Sequence, residues 1–421
     1  MKLAIIGGGW AGLAAAVRAV QAGHEVALFE MAAQLGGRAR GVDVAGLALD
    51  NGQHILIGAY RRTLDLMRTV GVDEQAVFDR RPLELRYPDG RGLRMPPGPA
   101  WLGFGRAVAG CRGWTWRDRT ALVGTAAGWA LAGFRCAPTL SVAELCRSLP
   151  PAVRELLIDP LCVAALNTPA ADASAAVLLR VLRDALFGGA GSADLLLPRR
   201  SLRALLPEPA AAWLQAAGAR VECGRRVEQL APAGAGWQVD GEPFDGVILA
   251  CTAQEAGRLT RDAAADWSEQ AAALRYEPIV TVYLQAPGAR LPAPMTALIE
   301  GPQAPAQFAF DHGALGATPG LFAFVISGAR HWVDAGLAAT AQAVLQQALQ
   351  DFAPGTWPAA PTLLKVLAEK RATFRCAPGL ARPPADIARG LVAAGDYVEG
   401  PYPATLEGAV QSGENALRRL A

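Results

Sequence analysis

The feature that most constrains this chain is residues 3–12, where an apolar run leads directly into the spacing Gly-x-Gly-x-x-Gly at Gly7, Gly9 and Gly12. This pattern predicts a β-strand, a tight turn and a helix over residues 10–22, whose N-terminal amides and dipole meet a pyrophosphate. Gly7 permits the turn, Gly9 lets the backbone approach the phosphates, and Gly12 lets the helix pack close to the strand. Because glycine-rich turns also serve as plain connections, the triplet needs supporting context.

The residues after the triplet supply that context. Gly23 is a helix stop, and a second apolar strand over residues 25–29 ends at Glu30, about twenty residues beyond the motif. An acid at this position accepts hydrogen bonds from the ribose hydroxyls of a bound dinucleotide. The segment therefore predicts the first βαβ unit of a dinucleotide-binding sheet, with Glu30 as a ligand-binding residue.

A second glycine pair distinguishes between the two common dinucleotides. Gly36-Gly37-Arg38, followed by Arg40, places extra backbone and two guanidinium groups just beyond the ribose-binding acid. The pyrophosphate of a longer cofactor needs this additional backbone and positive charge. The pattern favours FAD over NAD, with Gly37 and Arg38 among the residues that bind it.

The C-terminal part of the chain carries matching motifs. Gly395-Asp396 is followed by Pro-Ala-Thr-Leu-Glu-Gly-Ala-Val over residues 403–410. Together with the glycine–arginine motif, this arrangement resembles the flavin amine oxidase and phytoene desaturase superfamily. The resemblance implies that Gly395 and Asp396 meet the ribityl and pyrophosphate region of FAD. It also implies a helix that begins near Thr405 and Leu406 and aims its amides at the carbonyl edge of the isoalloxazine.

The same resemblance implies the fold class and the division of the chain. It predicts an α/β protein with a discontinuous Rossmann-type FAD-binding domain and a second, substrate-binding domain of mixed sheet and helices. Val227 is implied to pair its backbone with adenine. The FAD-binding domain is assigned to residues 1–90, 200–270 and 366–421, and the substrate domain to residues 91–199 and 271–365.

Composition excludes several classes of function. The 40 basic and 38 acidic residues nearly cancel, so no strong positive field favours nucleic acid. The seven cysteines are an odd number without a Cys-x-x-Cys pair, which argues against a metal site and a disulfide framework and suits a reducing cytosol. Because the cofactor strand opens at the N-terminus, we expect no cleavable signal peptide and a cytoplasmic location.

Tryptophan is concentrated in one region of the chain. Trp101, Trp114, Trp116 and Trp129 account for four of the ten tryptophans, and the nearby residues 120–134 carry no charge. This run is shorter than the roughly 20 apolar residues that span a bilayer. Two interpretations remain open: a buried helix of the second domain, which is favoured, and an interfacial helix with tryptophans at headgroup level. We expect peripheral contact with the inner face of the cytoplasmic membrane, since a tunnel that opens onto lipid needs such a wall.

Residues 50–60, Asp-Asn-Gly-Gln-His-Ile-Leu-Ile-Gly-Ala-Tyr, carry a more specific resemblance. With Leu-Asn-Thr-Pro at 166–169 and the C-terminal motif, they resemble the squalene-associated flavin desaturases over the whole chain. This resemblance implies the reductive dehydroxylation of hydroxysqualene to squalene, a step toward hopanoids and other isoprenoid lipids. Reduced flavin delivers hydride to the allylic cation, and the expected substrate is a long apolar isoprenoid. Residues 166–169 either end a helix before a proline turn or contact the substrate, and both interpretations stay open.

Three residues are candidates for the proton chemistry of this reaction. By resemblance, the loop at 52–54 lies near the flavin ring, where His54 could polarise the substrate oxygen or hydrogen-bond a carbonyl in the core. Glu399 and Tyr402 lie just before the expected C-terminal helix, so either is a candidate acid. The electron donor is left unspecified.

Two other classes of protein share these cofactor motifs. An FAD-dependent desaturase or oxidase of a carotenoid or an amine differs only in the substrate domain. A prenyl-binding carrier of the Rab escort type shares the fold without flavin chemistry. The intact Gly36-Gly37-Arg38 and the C-terminal motif count against the carrier.

Overall fold

The computed structural model describes residues 1–420, and both strands and helices occur throughout the chain. The strands, in chain order, are β1 Lys2–Ile6, β2 Glu25–Glu30, β3 Gly41–Val44, β4 Leu47–Asp50, β5 Leu56–Ile57, β6 Phe78–Arg81, β7 Glu84–Arg86, β8 Gly92–Arg94, β9 Leu195–Pro198, β10 Arg220–Cys223, β11 Leu230–Ala233, β12 Gly236–Val239, β13 Glu242–Phe244, β14 Gly246–Leu249, β15 Tyr276–Gln285, β16 Met295–Ala297, β17 Phe308–Asp311, β18 Leu321–Ile326, β19 Thr362–Phe374, β20 Asp386–Ala388 and β21 Leu391–Ala393. The helices are α1 Trp10–Gln21, α2 Arg61–Thr69, α3 Glu74–Val77, α4 Ala100–Gly110, α5 Trp116–Leu131, α6 Val142–Leu145, α7 Pro151–Val153, α8 Asp159–Leu166, α9 Ala175–Phe187, α10 Leu202–Leu205, α11 Pro207–Ala216, α12 Ala253–Thr260, α13 Ala265–Ala272, α14 Arg330–Ala335, α15 Leu337–Asp351 and α16 Leu406–Leu420. A π-helical turn over Arg154–Ile158 joins α7 to α8.

A six-stranded sheet carries the N-terminal glycine motif. Its strand order is β10-β2-β1-β14-β21-β20, and every neighbouring pair is parallel except β20 and β21 at the edge. Leu3 and Ile5 of β1 are fully buried in the same core as α1 and α16, while Ala4 and Ile6 belong to the core on the other face. Both faces are covered, as a parallel sheet requires. The arrangement confirms the predicted Rossmann-type fold class.

A five-stranded sheet, β16-β17-β18-β15-β19, forms the second unit. Each neighbouring pair is antiparallel, a more regular sheet than the mixed one expected. One face, with Phe322 and Phe324, packs against α15, and the alternate residues Phe308, Phe310 and Val325 belong to the core on the opposite face. β19 continues past residue 365, where the sequence places a domain boundary.

The tryptophan-rich region does not form a buried helix. Leu122 is the only buried residue of α5. Trp116 is 69% exposed and Leu131 is 91% exposed, whereas Trp114 is buried and donates its indole N–H to the Ala152 carbonyl at 3.2 Å. The favoured interpretation of this segment is therefore wrong, because one side chain of the helix is buried and Trp129 is packed only partly against the core. Within residues 1–420, no helix has the length and apolar character that crossing a bilayer requires.

Asn167 ends α8 and holds several segments together. Its backbone is left-handed, with φ of 48°. Its amide N–H groups donate to the Glu277 carbonyl at 3.1 Å and to Thr373 Oγ1 at 3.0 Å, and its Oδ1 accepts from the Gly328 amide at 2.7 Å. This geometry shows that Asn167 ends the helix. Asn167 also lines the main cavity, so contact between residues 166–169 and the substrate stays a prediction.

Candidate active site

A cavity of about 570 Å³ lies between the carboxyl ends of the parallel strands and the five-stranded sheet. This volume is within the range of small-molecule sites, roughly 300 to 1,000 Å³. The residues singled out from the sequence that line it include Gly7, Gly9, Glu30, Gly36, Gly37, Arg38, Arg40, His54, Val227, Gly395, Asp396, Thr405 and Leu406. Three others, Gly12, Glu399 and Tyr402, are not part of the lining.

The turn after β1 has glycine at three positions. At two of them a side chain would clash with neighbouring backbone, and at the third it would fill part of the cavity. Gly7 has φ of 113°, and a Cβ on it would lie 2.5 Å from the Ala250 carbonyl oxygen. A Cβ on Gly12 would lie 1.9 Å from the Gly7 oxygen, so α1 approaches the turn too closely for any side chain. Gly9 differs, because its Cβ would meet only Gly37 Cα, at 3.9 Å. The space beside Gly9 belongs to the cavity, which fits a pyrophosphate at the N-terminus of α1.

Glu30 ends β2 with a buried carboxylate in the cavity wall. It accepts hydrogen bonds from the amides of Gly8 at 2.7 Å and Ala32 at 2.8 Å. A carboxylate has further lone pairs, so it can also accept from ribose hydroxyls. Val227 lines the same cavity, and Arg258 donates to its carbonyl at 2.6 Å. These bonds fix the position of both wall segments.

Arg38 and Asp396 join two distant parts of the chain. Their side chains form an ion pair in the cavity wall, across 358 positions of sequence. Arg38 also donates to the Ala372 carbonyl at 2.8 Å. Gly37 has φ of 61°, and a Cβ on it would lie 3.2 Å from Gly9 Cα. The N-terminal glycine–arginine motif and the C-terminal Gly-Asp motif therefore meet beside the glycine turn.

The N-terminus of α16 borders the cavity. The Thr405 hydroxyl accepts from the Gly408 amide at 3.0 Å and donates to the Tyr402 carbonyl at 2.9 Å, so Thr405 caps the helix. Leu406 and Ala409 line the cavity. A helix N-terminus presents the positive end of its dipole, which suits an electron-rich edge of a bound ligand.

Three polar side-chain atoms in the cavity wall are buried without a hydrogen-bond partner inside residues 1–420. They are Arg40 Nε, Gln53 Oε1 and Gln254 Oε1. Buried polar atoms are nearly always paired, so these atoms indicate a polar ligand. The guanidinium groups of Arg38 and Arg40 suit a pyrophosphate, and the glutamine amides suit the polar edges of a ring system. The residues present fit FAD.

His54 faces the cavity with a ring held by its own loop. Its Nδ1 lies 2.8 Å from the Gly52 carbonyl oxygen. Because a carbonyl only accepts, Nδ1 carries the proton and donates it to this bond. Burial lowers the pKa of His54, and the Arg38 charge lowers it further, so the ring is neutral near pH 7. Its Nε2 is then a hydrogen-bond acceptor.

Glu399 and Tyr402 lie apart from His54. They border a separate small depression at the C-terminal loop. The Tyr402 hydroxyl donates to Asp184 Oδ2 at 2.7 Å, and the Arg180 guanidinium lies over the Tyr402 ring, 5.2 Å from its centre. The loop thus turns the Tyr402 side chain toward α9. The structure brings His54 into one cavity with the residues predicted to bind FAD. Glu399 and Tyr402 do not line that cavity, although their depression shares Asp396 with it.

Comparison with known proteins identifies the family. The chain matches the family model described as flavin containing amine oxidoreductase over residues 10–421. It belongs to the flavin-containing amine oxidoreductases. This flavin oxidoreductase binds FAD, as the sequence predicts.

Individual relatives differ in how much of the oxidoreductase they match. This chain is 30% identical to the hydroxysqualene dehydroxylase of Rhodopseudomonas palustris, over 98% of this chain and 96% of the relative. It is 41% identical to the zeta-carotene desaturase of Synechocystis over 75 residues, which are 18% of this chain and 15% of the relative. The crystal structure of an oxidoreductase from Methanosarcina mazei has a TM-score of 0.74 at 17% identity, covering 99% of this chain and 100% of that one.

Two residues of the oxidoreductase site were missed by sequence reasoning. Tyr60 lines the cavity at the start of α2, and burial raises its pKa, with added effects of Glu407 and Tyr402. The buried Glu407 carboxylate accepts from the amides of Arg62 at 3.1 Å and Thr63 at 2.9 Å. Because α2 has no side-chain cap of its own, Glu407 caps it from α16 and thereby positions Tyr60. The sequence signal for this role was Glu407, the one acidic residue within residues 403–410.

Asp50, which precedes the loop of His54, gives the oxidoreductase a pH-dependent stability. Burial raises the pKa of its carboxyl to about 6, although Ser201 Oγ and the Leu202 amide donate to it at 2.7 and 2.9 Å. In the unfolded chain this group titrates near 3.8. Between these values only the folded protein holds the proton, so lowering the pH through 6 stabilises it. We expect Asp50 to increase the free energy of unfolding by about 1 to 1.5 kcal/mol when the pH falls from 7 to 5.

Urea unfolding of the FAD-free protein and of its Asp50→Asn variant at both pH values measures this gain. The amide keeps an oxygen acceptor for Ser201 and Leu202 but does not titrate. The wild type should therefore gain more stability at pH 5 than the variant does. The same pH dependence in both proteins would contradict the assignment.

Proposed function

We propose that this flavin oxidoreductase removes the hydroxyl group of hydroxysqualene and yields squalene. The observation that carries the proposal is the similarity to a hydroxysqualene dehydroxylase along nearly the whole chain. The match to a carotenoid desaturase is confined to 75 residues, which are 18% of this chain. The length of the match therefore favours the dehydroxylase over the desaturase.

The apolar part of the cavity wall suits a hydrocarbon chain. Side chains from α8 and the five-stranded sheet form it: Val163, Ile279, Phe308, Phe310 and Val325. A triterpene alcohol offers a long apolar body and one hydroxyl group. A site for it must exclude water along the body and hold the hydroxyl with a few polar groups.

The reaction replaces a C–O bond by a C–H bond. The hydroxyl group takes up one proton and leaves as water, and the allylic cation left behind takes up a hydride. Bound FAD, when reduced, supplies the hydride equivalent. The residues of the chain must then orient the alcohol, stabilise the departing oxygen and keep water from the cation.

His54 and Tyr60 are the residues best suited to hold the hydroxyl group. Neutral His54 offers an acceptor at Nε2, and Tyr60 stays protonated because its pKa is raised. The alcohol O–H can donate to the histidine while its oxygen accepts from the phenol. In this assignment His54 and Tyr60, within residues 52–60, contact the substrate hydroxyl group, and Glu399 and Tyr402 do not.

Anaerobic single turnover tests the proposal. FAD in the enzyme is reduced by illumination with EDTA as the sacrificial electron donor before hydroxysqualene is added, so that the supply of electrons does not limit the rate. We expect squalene in proportion to enzyme, together with the return of oxidised flavin absorbance. Enzyme with oxidised FAD is the control and should give no squalene. If hydroxysqualene stays unchanged while an amine or a carotenoid precursor reduces the oxidised enzyme, the protein is an oxidase or desaturase and the proposal fails.

A further inference from the structure

We propose that α4, α5 and the end of α9 form a docking surface for an anionic lipid bilayer. The inference deepens the proposed function and rests on it for one point only, which is that the substrate is a lipid. The surface itself is argued from exposure, contiguity and charge.

Four of the five residues on the outward face of α5 are apolar. Exposed positions recur with helical spacing at Trp116, Thr120, Val123, Ala127 and Leu131. Of these, Trp116 is 69%, Val123 53% and Leu131 91% exposed. A helix that faces water normally presents polar residues on that side. The exposed side of α5 is thus mostly apolar, where a surface helix of a soluble protein is usually polar.

Neighbouring helices extend this apolar face. α4 packs against both α5 and α9, and it exposes Trp101 at 55% and Leu102 at 41%. Phe134, just beyond α5, contacts Phe187 at the end of α9, with ring centroids 5.5 Å apart, and Phe187 is 54% exposed. Six of the twelve large exposed apolar side chains within residues 1–420 therefore lie on these three helices. Such a concentration marks an interaction surface, whereas single exposed apolar residues do not.

Unpaired positive charge accompanies the apolar face. The segment 100–135 contains one acid, Asp118, and five arginines, Arg106, Arg112, Arg117, Arg119 and Arg135. Asp118 is used in the capping box of α5, and none of the five arginines forms a salt bridge with any residue of 1–420. Arg119 is partly buried and donates to the Cys111 carbonyl, whereas the other four arginines are exposed. Arginine beside tryptophan and leucine matches anionic headgroups above an acyl layer. A second copy of this chain would bring the same positive charge to the contact, so the bilayer is the occupant that charge favours.

The surface is one helical layer away from the cavity. α5 packs against α7, and the chain continues from α7 through the π-helical turn into α8. Val163, Ala164 and Ala165 of α8 line the cavity. A bilayer bound at α5 would therefore lie next to the helical segment that forms part of the apolar wall.

Vesicle flotation of the FAD-loaded full chain tests the surface. We expect flotation with vesicles that contain phosphatidylglycerol, weaker flotation with phosphatidylcholine alone, and a decrease with added salt. Replacing Trp116 and Leu131 together by serine should lower the partition coefficient by roughly tenfold or more. The matched control replaces Leu349 and Leu363, which are 45% and 44% exposed on α15 and β19, by serine and should float like the wild type.

Three results would overturn the inference. The first is equal flotation of the Trp116/Leu131 variant and the wild type when both unfold at the same temperature. The second is equal binding to neutral and anionic vesicles. The third is a wild-type dimer, seen by light scattering, that the same variant dissociates, because a second copy would then cover the face.

Turnover of detergent-dispersed hydroxysqualene separates this inference from the proposed function. The Trp116/Leu131 variant should keep the wild-type rate there, since neither residue lines the cavity. If the variant turns over detergent-dispersed substrate more slowly than the wild type and also floats less, the two residues serve the reaction itself and the docking role fails. If the wild type floats but makes no squalene, the proposed function fails and the docking surface stands.

Discussion

Gly9→Ala should remove FAD from the protein while leaving the FAD-free fold intact. The added methyl group meets only Gly37 Cα, at 3.9 Å. It extends into the space that the pyrophosphate needs to contact the protein backbone. Losing about two charge-assisted hydrogen bonds to the pyrophosphate weakens binding by roughly 100-fold or more. Flavin absorbance after gel filtration measures retention, and thermal unfolding of the FAD-free protein measures the fold.

Gly12→Ala is the matched control, with the same methyl group and the opposite result. Its Cβ would lie 1.9 Å from the Gly7 carbonyl oxygen, so α1 must move away from β1. We expect the FAD-free protein to lose at least about 3 kcal/mol of unfolding free energy, and FAD to be lost as a consequence. If Gly9→Ala keeps its FAD, or destabilises the FAD-free protein as much as Gly12→Ala does, the role given to Gly9 is wrong.

Tyr60→Phe should slow squalene formation by roughly 10²-fold or more while FAD stays bound. The change removes one hydroxyl, which on our proposal donates to the oxygen that leaves. Single turnover with prereduced FAD isolates this step, and the flavin spectrum reports whether the cofactor is still in place. A rate unchanged from the wild type would exclude Tyr60 from the reaction.

Tyr402→Phe removes the same atom from a tyrosine outside the cavity. Its hydroxyl donates to Asp184 on α9, so we expect a small loss of stability and a nearly normal rate. A large loss of rate in Tyr402→Phe, with Tyr60→Phe unaffected, would return the acid role to the C-terminal loop. The two variants therefore decide between the alternatives with one chemical change.

The cofactor half of the fold could be predicted because its constraints are local. Gly12 is required by its contact with Gly7 within one strand–turn–helix unit, and Gly7 has the positive φ of the turn itself. Glu30 follows at the end of the next strand, so sequence spacing carries these roles. The pairing of Arg38 with Asp396 was not visible in this way, since 358 positions separate them. Only the family resemblance placed both residues near the same ligand.

Side-chain direction and exposure could not be read from the sequence. Tyr402 lies in the expected loop, yet Asp184 and Arg180 of α9 turn its side chain away from His54. The uncharged run around α5 has the composition of a core helix, and only the absence of a covering element reveals that Leu131 is exposed. Both outcomes depend on packing partners that are distant in the chain.

The position of the last strand and helix has a consequence for biosynthesis. β21 completes the parallel sheet beside β14, and α16 packs on α1, so the first and last parts of the chain build one wall. A nascent chain that still has these segments inside the ribosome lacks Asp396, the cap at Thr405 and the partner of Arg38. The site is therefore complete only after β21 and α16 have joined the sheet, and a folding chain that has formed the glycine turn alone still lacks this wall.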